Sequence, residues 1–189
     1  MIDHDIIKKS GQILEKGGIL LYPTDTIWGI GCDIISPSAV ERIYKLKKRK
    51  RDQPLLLLVS SIEMLKEYII DIHPRIETLL TLHTQPLTII YKANDLVPSY
   101  LVAEKGTIGI RVVQDELCID LINELGRPIT STSANVSGRP FPNNLLEIDA
   151  EIKDNVDQIL YDAEHHTAPG KPSVVATFND KGELLFLRK

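Results

Sequence analysis

Ile19-Leu20-Leu21-Tyr22-Pro23-Thr24-Asp25-Thr26 is the stretch on which the fold assignment turns. Four apolar residues in a row, closed by a proline, predict a short buried strand with a polar turn at its end. Upstream, Ile6, Ile7, Ser10, Ile13 and Leu14 recur at helical spacing, and Gly17-Gly18 can stop that helix. Downstream, residues 27–32 read as a second extended segment whose two glycines suit a close backbone approach. Ser36-Pro37-Ser38 then opens a helix with Val40, Ile43, Tyr44 and Leu46 on one face.

The same alternation continues to the end of the chain. Leu55-Leu56-Leu57-Leu58-Val59 is another buried strand, and Ser60 or Ser61 caps the helix after it. Residues 73–83 and 115–125 read as helices, the second ended by Gly126. Residues 87–91, 108–113, 128–130, 159–161, 174–178 and 184–187 read as strands or strand starts, with a further element at 145–152. The expectation is an α/β fold in which helices pack on one twisted, mixed sheet, with residues 1–189 forming a single domain.

Composition excludes several classes. The 189 residues are 43% hydrophobic and 25% charged, which argues against wholesale disorder or a fibrous repeat. No apolar run approaches the roughly 20 residues of a membrane span. Met1-Ile2-Asp3-His4-Asp5 lacks the basic and apolar regions of a signal peptide, so a cytoplasmic location is expected. Cys32 and Cys118 read as buried thiols. His4, His73, His83, His165 and His166 form no zinc-binding spacing, and no metal ligands are expected from protein side chains. The net charge of −4 discourages nucleic acid over the surface as a whole, although a local patch can override it.

Four polar stretches adjoin strands, where α/β proteins bind ligands. Thr24-Asp25-Thr26 offers two hydroxyls and a carboxylate, either to a small ligand's amine and hydroxyl or to its own turn. Six of the seven residues from Lys45 to Arg51 are cationic. They serve a bound anion, a solvated helix end or an RNA backbone. If Lys47 and Arg49 grip one polyphosphate, the helix must end near Leu46 and the chain must then run extended, aligning Arg51 and Gln53. Thr107, Gly109 and Arg111 share one face of a strand, and Arg111 either forks onto an anion or forms a structural ion pair. Thr130-Ser131-Thr132-Ser133-Ala134-Asn135 reads as hydroxyls and exposed N–H groups after a strand, a nest for phosphate oxygens or a plain polar loop. A serine nucleophile is disfavoured, because Gly-x-Ser-x-Gly is absent and no histidine is an obvious base.

In this order, and together with the stretches YPTDT, GIGCD, QPLT, TIGIR and SANVSGRP, the pair Lys47-Lys48-Arg49 and Ser133-Ala134-Asn135 resembles the YrdC family, from about Gly17 onward. Its enzymatic members are threonylcarbamoyl-adenylate synthases. The resemblance implies a YrdC-like open mixed sheet with a deep, positively lined cavity. It also implies a reaction in which L-threonine, bicarbonate and ATP, carried with Mg²⁺, give threonylcarbamoyl-AMP and pyrophosphate. That product serves adenosine 37 of tRNA through a separate transferase complex. By the same resemblance Lys47 and Arg49 are the catalytic cations, and with Gln53, Thr107, Ser133, Asn135 and Arg188 they bind ATP. Thr24, Arg111 and Ser131 bind L-threonine. The chain departs from the usual family residues at Trp28, Leu58, Gln85, Val113 and Phe141, and it resembles the short form of the family. Two alternatives accompany this expectation. One is a module binding double-stranded RNA or ribosomes without catalysis. The other is a carbamoyl transferase with another acceptor, disfavoured because zinc-finger and acylphosphatase-like segments are lacking.

Overall fold

The computed structural model describes residues 3–160 and 170–188. His165, His166 and the Tyr161 end of the strand expected at 159–161 lie outside the described residues. Helix α1 (His4–Glu15) is capped by Asp3, whose carboxylate accepts from the Asp5 N–H at 3.0 Å. Strands β1 (Ile19–Tyr22) and β2 (Gly29–Cys32) follow as an antiparallel pair. Helix α2 (Pro37–Leu46) starts at a Ser36 cap with proline in its first turn. Then come β3 (Leu56–Val59), α3 (Ile62–Glu67) capped by Ser61, α4 (Pro74–Leu82), β4 (Leu87–Lys92) and β5 (Thr107–Val112). Helix α5 (Glu116–Leu125) runs from an Asp115 cap to Gly126, whose φ of 71° ends it in the left-handed region. The chain continues through β6 (Ile129–Ser133), α6 (Ala150–Lys153), β7 (Gln158–Ile159), β8 (Val174–Phe178) and β9 (Leu184–Arg188).

Two expectations are corrected. The hydroxyl run after Ile129 is not a loop but β6 itself, paired with both β2 and β3. β-branched threonines suit a strand, and the ladder takes up backbone N–H groups that a phosphate nest would need. The element at 145–152 divides. Asn144 caps a short 3₁₀ turn (Leu145–Glu147), and α6 begins separately after Asp149.

The described strands form one mixed sheet in the order β7-β1-β2-β6-β3-β5-β4-β8-β9. The pairs β1–β7, β3–β5 and β4–β8 are parallel and the remainder antiparallel. Side-chain alternation gives the sheet two unlike faces. On one face Ile30, Cys32, Leu57, Val59, Ile89, Tyr91, Ile108 and Ile110 join apolar residues of α2, α3, α4 and α6 in the larger core. On the other, Leu20, Tyr22, Leu58 and Ile129 pack under α1 and α5 in a smaller core. Helices α1 and α5 cover only part of that second face. The uncovered part carries glycine, hydroxyl and arginine positions instead of a continuous apolar layer.

Gly31 is required by close approach. A Cβ placed there would sit 2.2 Å from the Thr130 carbonyl oxygen and 2.6 Å from the Tyr22 hydroxyl. Gly31→Ala should lower unfolding free energy by about 2–3 kcal/mol in urea titrations. Gly109→Ala, whose Cβ would meet nothing closer than 3.4 Å, should cost well under half of that. Equal stability of the two variants would refute this account of the β1–β2–β6 packing.

Candidate active site

The uncovered face of the sheet is the floor of a cavity of about 360 Å³, a size typical of small-molecule sites. Gly29, Leu56, Thr88, Ile90, Gly109, Arg111, Ser131 and Ser133 reach it from five neighbouring strands. One wall is the loop after β1, with Thr24, Thr26 and Ile27. The other walls bring in Arg49, Phe141, Ser173 and Arg188. Three arginines and no carboxylate appear among the described lining residues, so the hollow favours anions.

Lys47 and the Ser133–Asn135 pair meet. The Lys47 ammonium is 1% exposed and donates to the Asn135 carbonyl at 2.6 Å, to the Ser133 carbonyl, and to Ser133 Oγ at 3.4 Å. The Lys47 carbonyl in turn accepts from the Ser137 N–H. Lys47 therefore stands behind the cavity wall and reaches the cavity through Ser133. Burial, and then the neighbouring Arg49 charge, pull its ammonium down to about 7.

The helix stops at Leu46 as expected, but the chain does not run extended after it. Lys48 takes a φ of 51°, and the Arg49 N–H returns to the Tyr44 carbonyl at 2.9 Å. This six-to-one closure turns the chain back on the helix, with lysine where glycine is usual. Arg49 still lines the cavity, held by the Gln53 carbonyl at 2.8 Å and the Pro54 carbonyl at 3.1 Å. Its guanidinium is pulled below the usual range by burial. Arg51 is not aligned with it. It pairs with Glu41 and lies 4.2 Å over the Tyr44 ring. The Gln53 side chain is exposed and outside the cavity lining, so that residue serves Arg49 through its backbone.

At the other end, Arg111 is 4% exposed. It donates from Nη1 to Thr26 Oγ1 at 2.9 Å, and its Nη2 lies 3.2 Å from Asp25. Its Nε is buried without a hydrogen-bond partner. Burial pushes the Asp25 carboxyl up, against the opposing pull of Arg111. Thr24 Oγ1 gives its hydrogen to the Ile27 carbonyl at 2.8 Å and accepts from the Thr26 N–H at 3.0 Å. The Thr24 hydroxyl is thus occupied by its own turn, and what Thr24 adds to the cavity is surface and shape, not a free hydroxyl.

The remaining expected residues divide. Ser131 and Ser133 line the floor, and Arg188 lines the rim with its guanidinium on the Ser173 carbonyl at 2.8 Å. Thr107 shares the strand face of Gly109 and Arg111 but lies outside the lining. Asn135 lines a smaller neighbouring hollow with Arg139 and Glu147, and Phe141 borders both. The sequence expectation offers the Thr26 hydroxyl to a ligand together with that of Thr24 but leaves it out of the threonine-binding set, and it assigns no role to Thr88 or Ser173. Thr26 had a signal, since it lies in the same polar turn as Thr24. Thr88 lies in the QPLT stretch, whereas Ser173, whose hydroxyl meets that of Thr88 at 2.8 Å, had no signal.

Comparison with known proteins matches this arrangement. Residues 12–189 fit the profile of the Sua5/YciO/YrdC family, described as telomere recombination. The chain belongs to the Sua5/YciO/YrdC family. It is 34% identical over 150 residues to a threonylcarbamoyl-AMP synthase of Vibrio parahaemolyticus, covering 78% of this chain and 81% of that one. An Escherichia coli threonylcarbamoyl-AMP synthase is 32% identical over 154 residues, covering 80% and 81%. Among solved structures, P. abyssi Sua5 complexed with L-threonine superposes with a TM-score of 0.90 at 26% identity. All of this chain is covered in that match, but only 55% of the Sua5 chain. Escherichia coli YciO gives a TM-score of 0.88 at 26% identity, covering 100% of this chain and 91% of its own. The departures from usual family residues mostly fill the core. Trp28, Leu58 and Val113 are at most 3% exposed, Gln85 lies on the surface, and Phe141 alone of the five lines the cavity.

The buried ammonium sets a pH dependence. Its folded value of about 7 lies below its ordinary 10.5, so between those pH values the unfolded chain holds a proton that the folded chain has released. The Lys47 contribution to stability is complete above the unfolded value and lost as pH falls through the folded one. Wild type should therefore gain on Lys47→Met as pH rises from 7 toward 9.5, by about 1 kcal/mol per pH unit in urea titrations. Parallel stability curves for the two proteins would refute it.

Proposed function

We propose that this chain is a threonylcarbamoyl-AMP synthase, making threonylcarbamoyl-adenylate and pyrophosphate from L-threonine, bicarbonate and ATP. The observation that carries this reading is one hollow with two separated anion ends. Arg111, with a buried unpartnered Nε, lies beside the turn after β1, and Arg49 with Ser133 lies where α2 meets β6. An amino-acid carboxylate and a polyphosphate are the two anions such a site can hold together. Relatives of this chain bear the synthase name, and one related structure holds L-threonine.

Threonine's amine combines with bicarbonate to give a carbamate and water. A carbamate oxygen then attacks the α-phosphorus of ATP, and the bond to the departing pyrophosphate breaks. Such chemistry needs positioning and charge neutralisation more than a covalent protein group, which fits a lining of arginines and hydroxyls. Arg111 holds the carboxylate. Ser131 faces the amino acid from the floor, with Thr24 shaping the wall beside it. Arg49 and Ser133 face the phosphates, with Lys47 donating hydrogen bonds from behind Ser133, Asn135 on the nucleotide side and Arg188 at the rim. Gln53 acts by holding Arg49, and Thr107 stands beyond the described lining. Mg²⁺ arrives with ATP, bound by its phosphates, since the described lining offers hydroxyls but no carboxylate. The product is passed to a tRNA threonylcarbamoyl transferase complex acting on adenosine 37.

The structure weakens the alternative of an RNA-binding module. Lys45 and Arg51 pair with Glu41, and Lys48 pairs with Glu151, so much of the basic run is neutralised locally. None of the described helices is long and apolar enough to cross a membrane.

Pyrophosphate release from ATP and bicarbonate should require L-threonine, with serine a poor substitute. Lys47→Ala and Arg49→Ala should each lower turnover by on the order of 10²-fold. Wild-type rates in both variants would sink the phosphate-side assignment. Steeply salt-dependent RNA affinity without any threonine-dependent release would favour the binding module.

A further inference from the structure

We infer that Thr26 is a positioning residue that aims the Arg111 guanidinium at the amino-acid carboxylate. The inference rests on the synthase reading and deepens it at its amino-acid end.

Thr26 is 4% exposed and lines the cavity. Its hydroxyl oxygen accepts from Arg111 Nη1 at 2.9 Å and lies 2.8 Å from Thr24 Oγ1. The proton assignment that satisfies every partner runs one way. Arg111 donates to Thr26, Thr26 donates to Thr24, and Thr24 donates to the Ile27 carbonyl at 2.8 Å. An arginine can only donate, so this chain cannot reverse. Its far end is fixed, because Thr24 Oγ1 also accepts from the Thr26 and Ile27 N–H groups. The Thr26 carbonyl accepts from the Gly170 N–H at 3.0 Å, which ties the same residue to the segment that leads into β8.

The consequence is geometric. Asp25 engages Nη2 imperfectly, since its Oδ1 lies 3.2 Å away yet forms no aligned hydrogen bond. Thr26 makes the well-formed bond that fixes the plane of the guanidinium. With that plane fixed, Nε is held buried and unpartnered in a residue that faces the cavity. A carboxylate arriving there meets a planar donor already oriented, and no rotamer has to be frozen on binding. The two threonine hydroxyls are both occupied by this relay, so they act on the amino acid through Arg111.

The test compares Thr26→Ser, which keeps the hydroxyl, with Thr26→Val, which keeps the shape. Thr26→Val should raise the KM for L-threonine about tenfold or more, as expected when a buried donor loses its acceptor. The KM for ATP should stay within about twofold, and Thr26→Ser should restore wild-type values. L-threonine affinity by calorimetry should follow the same order, and Thr26→Ala supplies the hydroxyl-free variant if valine prevents folding. A rise in both KM values together, or equal values for the serine variant and the hydroxyl-free variant, would overturn the positioning role while leaving the synthase reading in place. Absence of threonine-dependent pyrophosphate release in the wild type would overturn the synthase reading, and the inference with it.

Discussion

A single buried ammonium joins the two halves of the site. Lys47 is the first residue after α2, and its Nζ lies at the end of β6, 86 residues further along the chain. Burying a lysine so fully is unfavourable unless oxygens surround it. Here two carbonyls and a hydroxyl do so. The oxygens come from the Ser133–Asn135 segment, so the clasp fixes that segment against the end of the helix. Arg49 then emerges at the cavity wall because the turn through Lys48 leads it there. The Arg49 end of the cavity therefore depends on one amino group that is itself hidden from the cavity.

The cavity has a cause in the sheet. The nine described strands make a surface wider than two helices can cover, and α1 with α5 shields only part of one face. Water would reach any apolar side chains left on the remainder. The uncovered positions are instead glycine, threonine, serine and arginine, interspersed with Leu56 and Ile90. Because successive residues face opposite ways, these substitutions cost the main core nothing. Ile108 and Ile110 stay in the larger core while Gly109 and Arg111 face the hollow. Binding surface and core are thus specified on the same five or six residues, one on each face.

How legible this was in the sequence follows from the range of each interaction. Strands and helices came from local periodicity and caps, and the structure matches most of them within a residue or two. The end of α2 near Leu46 was legible in the sequence. The path after it was not, since a lysine at positive φ has no local signal of its own. The β6 hydroxyls looked like a loop because composition alone cannot show that β2 and β3 flank them. Thr130 illustrates the difference: its hydroxyl is buried against Cys32, so it belongs to the sheet and not to a ligand. For Arg111 the sequence left an anion fork and a structural ion pair open, and the folded chain brings in two guanidinium partners from 85 and 86 positions away, one of them the Asp25 carboxylate.

Charge distribution resolves the conflict between an acidic protein and an anionic ligand. A net charge of −4 would repel a polyphosphate at long range, but salt screens that field beyond roughly 10 Å. Close in, the described cavity wall carries three arginines, and the acidic side chains Glu41, Glu151 and Asp149 lie on outer surfaces paired with Lys45, Arg51, Lys48 and Arg139. Pairing these outer cations weakens them as landing sites for anions. The cavity arginines keep donors in reserve because their partners are backbone carbonyls, a hydroxyl and one misaligned carboxylate. A guanidinium held by carbonyls keeps its full charge, whereas one locked to a carboxylate has it cancelled. Selectivity for a bound anion therefore comes from cations that keep free donors where the walls of a hollow can surround a ligand, as Arg49, Arg111 and Arg188 do.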